Sequence, residues 1–226
     1  MVLVEQFYYT PQGRDSYLDM DGYQVIAKSS GLTKEFLEES SLYRYPIGCH
    51  ELDLLKISWF KALIKIKKKF VYQICINPGV GYDGRDGSLY THGFVFDEDQ
   101  FAQLDNNTRN FDKYFNHSPS TRTLPLIDIE KNVAKYLFAP LPLELDEKKL
   151  EGVLNALRKK RRCVILQRKL QDHVVQGIIS RLEPEDRAIT FQNMIWEPDR
   201  QYQTKLVLGY SNNKYRFEDY RVTDLS

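Results

Sequence analysis

GYDGRDGSLYTHGFVFD, Gly81 to Asp97, follows the apolar run KKFVYQICIN (68–77) and ends in a second, alternating one, SLYTHGFVF (88–96). Gly81, Gly84, Gly87 and Gly93, four of the chain's 12 glycines, and His92, one of its 4 histidines, fall within it. Glycine at that density marks backbone with positive φ or a close approach between groups, and so a connection between strands. Arg85, Asp86, Tyr90, Thr91 and His92 are the polar groups this connection displays. Just upstream, Gly79 to Gly84 spells G-x-G-x-x-G. A dinucleotide loop, however, runs straight into a helix whose N-terminal amides hold the pyrophosphate. Here Pro78 precedes the glycines and strand-like alternation follows them, which argues against dinucleotide binding.

Working outward, VLVEQFYY (2–9) and YQVIAKS (23–29) read as strands because they are β-branched and aromatic. Thr33 is placed to cap a short helix, KEFLEES. LLKISWFKALIKI (54–66) fits both the helical and the strand period. After the glycine stretch, Asp97 begins a helix with Gln100 at the capping-box position, and Phe96 and Phe101 form the staple pair. Residues 105–145 resist assignment; Pro125, Pro140 and Pro142 make this the natural sub-domain boundary. Asp146 caps EKKLEGVLNALRKK, with Leu150, Val153, Leu154 and Leu157 as an apolar stripe. CVILQ, the helix DHVVQGIISRL stopped by Pro184, AITFQ and TKLVLGY complete a C-terminal αβαββ block. The class is α+β, with a mixed sheet and a strand-rich N-terminal part. We read a single domain over 1–226, divisible at most into sub-domains 1–115 and 146–226.

Composition bounds the function. With 226 residues, 42% apolar, 28% charged and a net charge of +1, the chain is globular and has no global field to draw nucleic acid or membranes. Three cysteines and no C-x-x-C argue against a disulfide framework or structural zinc. No apolar stretch is long enough to span a bilayer, so a cytoplasmic location is expected.

Several constellations carry potential chemistry. Arg85 in a glycine loop can offer its planar fork to phosphate or carboxylate, and His92 can serve as acid, base or ligand. The structural alternative pairs Arg85 with Asp83 or Asp86 and ties His92 to loop carbonyls. Cys49-His50 suggests a nucleophile, with His92 as a distant base, but no local signature or oxyanion loop accompanies it. The histidine spacing gives no metal motif, and no cofactor is expected. Two basic clusters, Lys65, Lys67, Lys68, Lys69 and Arg158 to Arg162, read as solvated faces, the second favoured by a helix C-terminus. The 15 tyrosines, with Tyr8-Tyr9 and Tyr43-Arg44-Tyr45 adjacent, suit a protein interface or a core edge equally.

EQFYYT, GYQVIAKSSGL, GRDGSLYTHGFVFD, LEGVLNALRKKRRCVILQ and IISRLEPEDRAITFQNM, in that order, resemble the N-terminal domain of the GTPase-associated protein 1 family. Gly84, Arg85, Gly87 and His92 fall on the family's Gly-Arg-x-Gly turn and following His, with Tyr90 as an aromatic spacer. Thr190 and Phe191 match its Thr-Phe strand. The resemblance implies a non-enzymatic adaptor of prokaryotic NTP-dependent conflict (defence) systems, with a GTPase or other NTPase as partner. Gly84, Arg85, Gly87, Tyr90 and His92 are the candidate binding residues, without an assigned chemical role. Two alternatives stay open: a small-molecule hydrolase using His92 with Arg85 or Cys49, and nucleic-acid binding through 65–69 and 158–162. Nucleic acid and membrane are not the expected partners.

Overall fold

In the computed structural model, the described residues are 1–12, 22–40, 59–76, 89–116, 120–131, 145–166, 173–195, 204–209 and 221–224. They form an 11-stranded mixed sheet. In chain order the elements are β1 (Val2–Gln12), β2 (Gly22–Ser29), α1 (Lys34–Ser40), β3 (Trp59–Ile66), β4 (Lys69–Ile76) and β5 (Tyr90–Asp97). After these come α2 (Glu98–Gln103), α3 (Arg109–Asp112), β6 (Thr123–Leu124), β7 (Ile127–Ile129) and α4 (Glu147–Arg158). The chain closes with β8 (Cys163–Leu166), α5 (His173–Ile179), a 3-10 turn (Pro184–Asp186), β9 (Phe191–Ile195), β10 (Leu206–Gly209) and β11 (Arg221–Asp224).

Across the sheet the order is β11-β8-β10-β9-β3-β4-β5-β1-β2-β6, with β7 pairing the first residues of β1. The central strands β9-β3-β4-β5-β1-β2 are antiparallel neighbours, whereas β11, β8, β10 and β9 run parallel. An α+β fold with a mixed sheet is therefore what the chain adopts; the αβαββ block with β11 supplies most of its parallel pairing, and β2 with β6 the rest.

The ambiguous run before residue 67 resolves as strand over its described part. Phe60, Ala62, Ile64 and Ile66 pack in one core while Leu63 joins the other, which is a period of two. Strand β4 buries both faces: Phe70, Tyr72 and Ile74 enter the larger core, Val71 and Cys75 the smaller. A strand covered on both sides shows little alternation, as expected for the middle of a sheet. Pro11 stands late in β1, beyond the residues Glu5 to Tyr9 that β5 pairs.

One core cluster joins the two halves of the chain. Val4, Tyr72, Phe94 and Phe111 share it with Val153, Ile165, Ile178, Phe191 and Leu206. Caps hold the helices as their residues dictate. The Asp97 carboxylate accepts from the Gln100 N–H at 2.8 Å, and the Gln100 side chain accepts from the Asp97 N–H at 2.8 Å. The Phe96 and Phe101 rings pack 5.0 Å apart beneath. Thr33 accepts from the Phe36 N–H, and Asp146 from the Lys149 N–H. Each such cap is worth about 1 kcal/mol.

Candidate functional site

Ile76, the last residue of β4, pairs directly with Tyr90, the first of β5. The segment 77–88 is thus closed on a bonded strand pair. Gly84, Arg85 and Gly87 lie outside the described residues, as do Cys49, His50 and the Tyr43-Arg44-Tyr45 cluster. Tyr90 and His92 are described, and both lie at the root of the connection.

His92 is fully buried, between the Tyr8 ring at 4.3 Å and the Phe94 ring at 4.1 Å. Both ring nitrogens are engaged. The Asn116 backbone N–H donates to Nδ1 at 3.3 Å, so the proton sits on Nε2, which donates to Gln6 Oε1 at 3.0 Å. Gln6 passes the chain on: its Nε2 donates to the Pro125 carbonyl at 2.9 Å, and its backbone N–H donates to Ser29 Oγ at 3.0 Å. The network ties β5, β1, β2 and residues 116 and 125 together. Burial drives the imidazole pKa down from 6.5 to about 3, since a charged ring there would lose its hydration. A ring held neutral, buried and doubly bonded is poorly suited to shuttling protons near pH 7.

The Tyr90 hydroxyl donates to the Asn116 carbonyl at 3.2 Å, and its ring packs edge-on to Phe115. Burial raises the Tyr90 hydroxyl pKa, and the Tyr8 hydroxyl adds to the rise. Tyr8 is likewise raised by burial, offset by a hydrogen bond to the Asn116 side chain. Opposite His92 along β5, Gly93 faces the smaller core; a Cβ there would come within 2.3 Å of the Phe7 ring. Its glycine is required by that close approach.

Cys75 has no exposed surface, and burial pushes its thiol up to about 12 despite a hydrogen bond from Thr91 at 3.0 Å. It behaves as a small hydrophobe. Among the described residues no group of three or more His, Cys, Asp or Glu is placed to hold a metal ion.

A second polar cluster escaped sequence reasoning. Asp112 on α3 accepts from Lys61 Nζ and from the Tyr72 hydroxyl, each at 2.7 Å. Thr108, which accepts from Gln176 of α5 at 2.8 Å, also bonds the Tyr72 hydroxyl. Burial, and then Asp112, hold the Tyr72 pKa well above the usual phenol value. Residues 61, 72, 108, 112 and 176 are too far apart in sequence for any local pattern to have joined them. The network fastens the C-terminal block to the N-terminal half.

The basic clusters divide differently from their sequence. Lys67 pairs with Glu39 at 3.1 Å, Lys69 with Glu5 at 2.7 Å, and Lys65 with Glu98. Arg158 faces Glu151 at 3.4 Å.

These features define an α+β domain whose glycine-rich connection roots in a buried, neutral hydrogen-bond network. Residues 3–111, just under half of the chain, match the family described as GTPase-associated protein 1, N-terminal domain type 2. Strands β6 to β11 lie beyond the matched span. No curated protein and no solved structure matches the chain. Among the described residues no helix is long and apolar enough to cross a membrane.

Proposed function

We propose that the protein is a non-enzymatic, cytoplasmic adaptor of a GTPase-linked prokaryotic conflict system. Its partner contact is the β4–β5 connection carrying Gly84, Arg85 and Gly87. The observation that carries this reading is the commitment of His92. Its two nitrogens are spent on Asn116 and Gln6, so the histidine of the motif anchors the root of the connection. An arginine's planar fork of donors suits carboxylates on a protein surface. The family description, GTPase-associated, supports a GTPase as the partner. Titration calorimetry against a GTPase encoded beside this chain tests it. Binding that weakens at least tenfold in Arg85→Ala is expected; undiminished binding in that variant removes the connection from the contact.

A further inference from the structure

We propose that the end of the sheet opposite the β4–β5 connection binds the phosphodiester backbone of duplex nucleic acid. This inference does not rest on the adaptor reading. Strand register brings the two basic clusters together. Leu63, Phe191, Leu206 and Cys163 form one row across β3, β9, β10 and β8. The next row outward is Ile64, Thr190, Lys205 and Arg162, and beyond it lie the β3–β4 turn and the α4–β8 turn. Three strand spacings of roughly 4.8 Å set these turns about 14 Å apart. That span is comparable with the width of a major groove, about 12 Å.

Lys68, Lys159, Lys160, Arg161 and Lys205 have no carboxylate partner among the described residues, in contrast to Lys65, Lys67 and Lys69. Two of the tip residues adopt backbone that favours glycine: Lys67 has φ 54° and Lys160 φ 55°. Lys160 closes α4, with its N–H donating to Leu157 and the Arg161 N–H to Ala156, the position where helices ordinarily place glycine. Ammonium groups thus stand at both turn tips where a cheaper residue would serve the fold.

Between the tips lies an open groove of about 490 Å³, with Phe70 and Ala102 in its lining and Lys65 and Lys205 on its walls. Glu98 and Asp99 also line it, which keeps phosphates out of the groove and on the two rims. The exposed large apolar side chains among the described residues are Met1, Leu3 and Leu126, so none of them is an aromatic platform for stacking single-stranded bases. Lysines on two rims about one groove width apart instead suit the phosphate rails of a duplex.

Fluorescence anisotropy with a labelled mixed-sequence duplex of about 20 base pairs tests the proposal across salt concentrations. Four or five phosphate contacts give a slope of log K against log salt of about −4. Charge reversal of Lys159, Lys160 and Arg161 together is expected to weaken association more than tenfold. Lys160→Gly is expected to weaken it several-fold while folding at least as well as the parent, which separates loss of contact from loss of fold. No association at low salt, association untouched by these substitutions, or equal affinity for an acidic peptide of the same charge would each overturn it.

Discussion

Lowering the pH from about 7.5 to about 5 should cost this protein stability at His92. The unfolded chain takes up a proton at this imidazole around 6.5, whereas the folded chain holds it near 3. Where the unfolded state binds more protons, stability falls as pH falls. The loss starts below 6.5 and runs down to about 3. At about pH 5 it spans one and a half pH units at about 1.4 kcal/mol each, or about 2 kcal/mol. For a chain of this size that is a drop of about 4–8 °C in Tm. Urea denaturation at both pH values, on wild type and His92→Gln, isolates the effect, because every other titrating group is common to both proteins. Wild type should lose about 2 kcal/mol more than the variant over this window. Equal losses would mean that the ring is solvated or already charged in the fold, and would refute the buried network.

Three other perturbations test the packing. Gly93→Ala drives a methyl group into the Phe7 ring and should cost about 1–3 kcal/mol in urea melts; adding Phe7→Leu should recover part of the loss instead of deepening it. Tyr72→Phe removes a buried donor to the Asp112 carboxylate and should cost on the order of 2 kcal/mol, whereas a change near zero would show Asp112 satisfied by other donors. A fragment ending at residue 131 keeps the family-matched span but strips Phe191, Leu206 and Ile178 from the core around Tyr72 and Phe94. It should show no cooperative thermal transition by circular dichroism; a sharp transition would make the N-terminal half a domain by itself.

Local chemistry was legible in the sequence. The Asp97–Gln100 capping box, the Phe96–Phe101 staple and the Thr33 and Asp146 caps depend on neighbours a few residues away, and each forms as read. The strand at Trp59–Ile66 was ambiguous because its apolar residues, Leu63 on one face and Phe60, Ala62, Ile64 and Ile66 on the other, fit the helical period as well. Strands β6, β7 and β11 went unread, being two to four residues long and defined only by distant partners such as Val2–Val4. For the candidate site, the motif drew attention to His92 but could not reveal its surroundings. Gln6 lies 86 residues away, and the decisive Asn116 N–H is a backbone group that any residue type supplies. The two basic clusters posed the same difficulty: only strand register shows that they share one end of the sheet.

Hydrogen–deuterium exchange with and without the neighbouring GTPase tests the central claim most directly. The adaptor account predicts slowed exchange across 77–92, with the α4–β8 turn at 159–162 unchanged. Unaltered exchange at 77–92 in the presence of saturating GTPase would contradict it.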